Sequence, residues 1–207
     1  GLGWHLRAET QLAGLAGATF TYDHSFAQWL PKADAMGRAG ERLYLAGDGL
    51  RIRGADGAEV AGRLAAVACL EDMGLSAPDA RADARRMRRL DRFAEGIARA
   101  FPWPAEVVRQ LPDDAVVCRC ESITAGALRD AVDAGGSEAN RAKSLSRVGM
   151  GRCQGRYCQL AGAEIVAAQA NLDVATVGRL RDQAPVRPAP IGAMRSPDHS
   201  TRSGRNN

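Results

Sequence analysis

No stretch of this chain approaches the roughly 18 consecutive apolar residues that a membrane-crossing helix requires, so no transmembrane segment is expected. The opening residues, GLGWHLRAETQL, lack a basic stretch followed by an apolar run, so no secretory leader is read there. Histidine is scarce: His5, His24 and His199 stand far apart, without metal-ligand spacing. No nucleophile–base arrangement is visible, which argues against a hydrolase. No G-x-G-x-x-G follows a strand-like segment, so the usual cradle for a nucleotide pyrophosphate is missing. The formal charge of +4 is mild and local and points to no nucleic-acid partner. The chain opens with Gly rather than Met, and the simplest expectation is a fragment or a processed product.

What is present suffices for one ordinary core plus a small satellite domain: 207 residues, 45% of them hydrophobic. In residues 1–77, ATFTYD (18–23) and RLYLAGD (42–48) have strand character, with a turn expected between Gly37 and Gly40. Val60, Leu64, Val67 and Leu70 then recur at helical spacing, and Gly74 is placed to close that helix. Residues 78–112 read as a linking helix. Met87, Leu90, Ile97 and Phe101 form its apolar stripe, arginines cover the rest, and Pro102 and Pro104 end it. The arginine run 85–92 is expected to be a solvated face, with docking to a partner subunit or an acidic electron carrier as a second role. Residues 113–170 read as short helices, one capped by Thr124 or Ser122 and stopped at Gly135-Gly136, and another over CQLAGAEIVAAQA (158–170). Residues 171–207, rich in Pro, Arg and Ser, are expected to be extended and finally disordered.

Five cysteines are an odd number, and four of them are clustered: C-x-C at Cys118 and Cys120, then 32 residues, then C-x4-C at Cys153 and Cys158. Without a leader, metal or redox use is favoured over a disulfide framework. Four thiolates satisfy either a structural zinc or an iron–sulfur cluster. The one-residue gap is tighter than the usual zinc knuckle. Gly149, Gly151 and Gly155 let backbone N–H groups come close to sulfur, as cluster sites require. Arg119, Arg147, Arg152 and Arg156 would offset the negative charge of a thiolate-ligated cluster. Zinc, a transient disulfide pair and simple packing remain the alternatives. Cys69, in an Ala-rich helical segment, reads as a small core hydrophobe.

A second signal is LYLAGDGLRIRGADGAEVAGRLAA (43–66). A strand ending at Gly47-Asp48 and followed by a helix can offer a carboxylate and backbone amides to a ligand. An ordinary strand–turn–helix is the competing reading.

Two motifs carry a resemblance. VVCRCESITAGALRDAV with KSLSRVGMGRCQGRYCQ resembles the small helical [2Fe–2S] domain of bacterioferritin-associated ferredoxin, in the version appended to flavin dehydrogenases. The likeness extends to the α-type subunits of opine oxidase, hydrogen cyanide synthase and bacterial proline or hydroxyproline dehydrogenases. It implies that Cys118, Cys120, Cys153 and Cys158 ligate the cluster. The ferredoxin has a two-residue gap in its second cysteine pair, whereas this chain has four. The 43–66 stretch resembles the C-terminal flavin motif of two-dinucleotide-binding-domain oxidoreductases. There Asp48 would bond the ribityl chain of FAD, Gly47 would allow close approach, and Gly49 to Gly54 would pass near the isoalloxazine. The upstream segment GLGWHLRAETQLAGLAGATFTYD resembles the same subunits.

The implied fold class is α+β: the C-terminal piece of a two-dinucleotide-binding-domain flavoprotein, followed by a small all-α [2Fe–2S] domain. The implied function is electron relay between flavin and cluster in a multisubunit amino-acid or opine dehydrogenase. A separate β-type subunit with its own flavin would oxidise the substrate. A non-enzymatic iron–sulfur or zinc adaptor, or a truncated non-functional fragment, are the rival readings. The expected location is cytoplasmic, or membrane-peripheral as part of a complex. Because the pyrophosphate half of a flavin site is missing, this chain by itself is expected to hold FAD weakly or not at all.

Overall fold

After a short first helix, two hairpins of short strands precede three helices, and a third hairpin precedes four more. The computed structural model describes residues 5–194. A short helix, α1 (Gln11–Leu15), precedes a hairpin of β1 (Phe20–Asp23) and β2 (Gln28–Pro31). They pair antiparallel from Phe20↔Pro31 to Asp23↔Gln28. The Asp23 side chain closes the turn by accepting from the Ser25 and Phe26 amides, the usual use of Asp at such a corner.

A second hairpin joins β3 (Arg38–Gly40) to β4 (Leu43–Tyr44). Two corrections follow. The segment 37–40 is strand from Arg38 to Gly40 rather than turn. The strand expected over 42–48 is only two residues long before the chain enters a 3-10 turn at Gly47–Gly49.

Helix α2 (Gly54–Asp72) buries Val60, Leu64, Val67 and Ala68 on one side, as the spacing predicts. Val60, Ala61 and Leu64 form a small core with Met87 of α3 (Arg81–Ala100). Burying an aliphatic side chain of this size contributes about 2 kcal/mol. The stripe expected on α3 is only partly buried. Met87 is buried, but Ile97 and Phe101 are 45% and 70% exposed, so hydrophobic periodicity marked the face without deciding what covers it. Cys69 is likewise half-buried, not core, with its thiol 3.9 Å from Met73 Sδ.

After Pro104, α4 (Ala105–Arg109) leads to a third hairpin, β5 (Val116–Cys118) with β6 (Ile123–Thr124). The all-α expectation for this region is therefore corrected: it opens on a two-stranded hairpin that carries Cys118. Helices α5 (Ala125–Asp133), α6 (Ala139–Ser146), α7 (Gln159–Ala170) and α8 (Val174–Val177) follow. Thr124 caps α5 by accepting from the Ala127 amide, whereas Ser122 sits in the left-handed region. Glu138 caps α6, accepting from the Arg141 amide. Leu128, Ile165, Val166 and Val177 anchor the larger core, which also takes in Cys118 and Cys158. Helix and sheet are thus both present, with each sheet a separate two-stranded antiparallel ribbon. The disorder expected at the C-terminal end falls on residues 195–207, outside the described residues. No described helix is long and apolar enough to cross a membrane.

Candidate functional site

The four clustered cysteines meet although 32 residues separate the two pairs. The third hairpin brings Cys118 inward and leaves Cys120 at its exposed tip; the glycine-rich loop before α7 supplies Cys153 and Cys158. The Cys120 thiol lies against Cys153, and the Cys118 thiol against Cys158, with Cys153 also within electrostatic reach of Cys158. None is in a disulfide. Among the described residues no group of three or more His, Cys, Asp or Glu side chains is gathered for one metal ion. The thiols therefore stand as two pairs rather than as one tetrad.

The electrostatics of the pairs differ. Burial pushes Cys158 up to about 12, and the neighbouring Cys118 adds to this by repulsion and hydrogen bonding. Such a thiol ionises readily only when a cation sits beside it. Burial also works upward on Cys153, but the Tyr157 amide, the Cys120 thiol and the Gly155 and Arg156 amides together hold it below its usual value. Amides aimed at sulfur are what a thiolate-ligated centre uses. Gly151 fits tightly against the same place: a Cβ there would stand 2.1 Å from Cys120 Cβ and 3.3 Å from its sulfur. Four free thiols thus lie as two neighbouring pairs, beside a glycine at a place where no side chain fits.

Of the four arginines expected to offset cluster charge, two are already paired. Arg147 bonds Glu121 at 2.9 Å, and Arg156 Nε donates to Glu9 at 2.7 Å. Arg119 and Arg152 are exposed, without a carboxylate partner among the described residues.

The second candidate place is the Gly47–Gly49 turn. It is not the strand-to-helix junction expected: α2 begins only at Gly54, so Asp48 does not sit at a helix N-terminus. The turn is held by the Leu50 and Arg51 amides, both donating to Gly47 O at 3.0 Å. Gly47 has φ +56, and a Cβ there would stand 3.3 Å from Ala58 Cβ, so glycine lets the turn lie close on α2. Asp48 is exposed, and its carboxylate has no hydrogen-bond partner among the described residues. Around Gly49 and Gly54 nothing lies within 4 Å of where a Cβ would be. The turn therefore offers an accessible carboxylate and open backbone. A cavity of about 160 Å³ between α2, α3 and residues 34–37 includes Leu50 and Arg53, but not Asp48.

The two places are bound together by residues that neither motif contains. Arg7, its charge disfavoured by burial, donates to Arg156 O at 3.1 Å and to Gln159 Oε1 at 2.8 Å. Gln11 Nε2 donates to Gln154 O at 2.9 Å. Glu9 takes Arg156 with its carboxylate and donates its own amide to Asp48 O at 3.0 Å. No local pattern marks Arg7, Gln11 or the Glu9 carboxylate, because each finds its partner more than 140 positions away.

Residues 114–197 match the family described as the sarcosine oxidase A3 domain. The chain is 34% identical to an opine oxidase subunit of Rhizobium meliloti over 94% of its own length and 38% of that protein. It is 33% identical to hydrogen cyanide synthase subunit HcnB of Pseudomonas aeruginosa over 74% of its length and 34% of that protein. The fold matches that of an L-proline dehydrogenase from P. horikoshii with a TM-score of 0.68 at 18% identity, over 92% of this chain and 37% of the other. The chain is thus a relative of proteins named as subunits of an oxidase and of a synthase, and it spans about two-fifths or less of the relatives it matches.

Proposed function

We propose that this chain is the electron-relay part of a multisubunit, flavin-dependent oxidoreductase acting on an amino acid or opine. In this reading Cys118, Cys120, Cys153 and Cys158 hold a [2Fe–2S] cluster, and Gly47, Asp48, Gly49 and Gly54 form one side of an FAD site whose pyrophosphate half lies elsewhere in the complete subunit. A separate β-type flavin subunit carries out substrate oxidation. The relatives named as subunits support the multisubunit arrangement.

The single observation that carries the reading is the meeting of four unoxidised thiols as two pairs, with amides aimed at Cys153. When bound, such a centre supplies one-electron transfer. The protein's part is to hold Cys118 and Cys158 in the core while Cys120 reaches the surface, giving electrons a short way in and out. Asp48 presents its carboxylate to the hydroxyls of a flavin side chain, and the open backbone at Gly49 leaves room for the ring.

Anaerobic treatment of the chain with iron and sulfide is expected to give two irons and two sulfides per chain, with the visible absorption of a thiolate-ligated centre. Cys153→Ala should abolish this, and Cys69→Ala should not. One bound zinc with no sulfide would refute the reading and favour an adaptor module instead.

A further inference from the structure

Two hydrogen-bonding groups of one residue join the thiol loop to the glycine turn. Glu9 donates its amide to Asp48 O at 3.0 Å. Its carboxylate accepts from Arg156 Nε at 2.7 Å and Nη2 at 3.2 Å. Arg156 in turn is built into the loop: Nη1 donates to Cys153 O at 3.3 Å, Nη2 to Val186 O at 2.6 Å, and its own amide donates to Cys153 O at 3.1 Å. Among the described residues the Glu9 amide is the one group outside residues 47–51 that bonds the backbone of Gly47–Gly49.

We propose that Glu9 is a positioning residue which, through Arg156, sets the Gly47–Gly49 turn according to whether the thiol site is loaded. This rests on the function proposed above. The physical argument is one of constraint. Binding at four sulfurs fixes the loop from Cys153 to Cys158, and with it the guanidinium of Arg156. That side chain is only 20% exposed, its guanidinium is held by the Cys153 and Val186 carbonyls, and its own carbonyl is held by Arg7, so it cannot take up slack independently. The Glu9 carboxylate, 42% exposed, is tied to that guanidinium by two bonds, and the Glu9 amide is tied to Asp48 O. Simple stitching between two parts of the fold would give the same bonds but no dependence on loading, and this difference is measurable.

The reporters are the Glu9 amide, bonded to Asp48 O, and the Leu50 and Arg51 amides, bonded to Gly47 O. Hydrogen exchange is measured on the chain before and after anaerobic loading, with iron and sulfide content determined on the same samples. Loading is expected to slow exchange at these three amides by roughly tenfold, the scale of one net hydrogen bond. Glu9→Gln and Glu9→Ala should take up iron and sulfide normally but lose this slowing, and Glu9→Asp should restore part of it. Loaded wild-type protein with unchanged turn exchange overturns the inference, as does full slowing in Glu9→Gln. Wild-type protein that takes up no iron or sulfide overturns both the cluster reading and this inference, and the metal content tells the two failures apart.

Discussion

Arg109 on α4 donates from Nε to Glu164 on α7 at 3.0 Å, and the Glu164 side chain is only 4% exposed. A buried carboxylate with a single guanidinium partner is stable only while that partner stays. Arg109→Met is therefore expected to cost about 3 kcal/mol, because it strands a buried charge. Arg109→Met combined with Glu164→Leu should recover most of that loss. Denaturant unfolding of the two single variants and the double variant checks this; simple additivity of the two losses would contradict it.

Gly151 should tolerate no side chain. Its Cβ would lie 2.1 Å from Cys120 Cβ, with backbone of the same residue at 3.4 Å. Gly151→Ala is expected to displace Cys120 and to destabilise by about 1–3 kcal/mol, the range for overpacking. In loading experiments it should lower iron and sulfide uptake several-fold. Gly62→Ala, where nothing lies within 4 Å, is the control and should load fully.

His5 predicts a pH effect. Burial lowers its pKa below the usual 6.5, outweighing the backbone hydrogen bond to Phe26 that works upward. The ring also packs edge-on against Trp103 at 5.5 Å. The unfolded chain then binds a proton at higher pH than the folded one, so the contribution is complete above pH 6.5 and is lost as pH falls through the folded value. Thermal melts of wild type and His5→Gln should run parallel above that pH and converge below it. Parallel curves throughout would refute the assignment.

On the function proposed above, removing the cluster should loosen its own region first, because a small core built around a ligated centre is marginal without it. Stripping iron is expected to raise exchange across 115–170 while the α2 core around Val60 and Leu64 keeps its protection. Equal protection of 115–170 with and without iron would show that packing alone holds it.

Asp48→Ala in the complete subunit should lose FAD on gel filtration while keeping its iron. A carboxylate bonded to neutral hydroxyls is worth roughly ten- to a hundredfold in affinity. Unchanged flavin content would remove Asp48 from the site.

The sequence alone was enough for features set by neighbours along the chain. The spacing of Val60, Leu64 and Val67 predicted α2, Thr124 and Ser122 before AGAL were the two candidates for the α5 cap, and the prolines after Phe101 predicted the end of α3. The four cysteines could be picked out because thiols in two short-spaced pairs are rare unless used together. Pairings across the chain could not be read in this way. The segment 42–48 has strand composition, but a strand extends only as far as its partner, and β3 supplies a partner for two residues. Ile97 and Phe101 share the stripe of Met87 and Leu90, yet only the latter two pack against the α2 core. Glu9, Arg7 and Gln11 look like an ordinary polar run. They matter because folding sets them against a loop near residue 155, where buried polar groups must find partners and these side chains are the ones within reach.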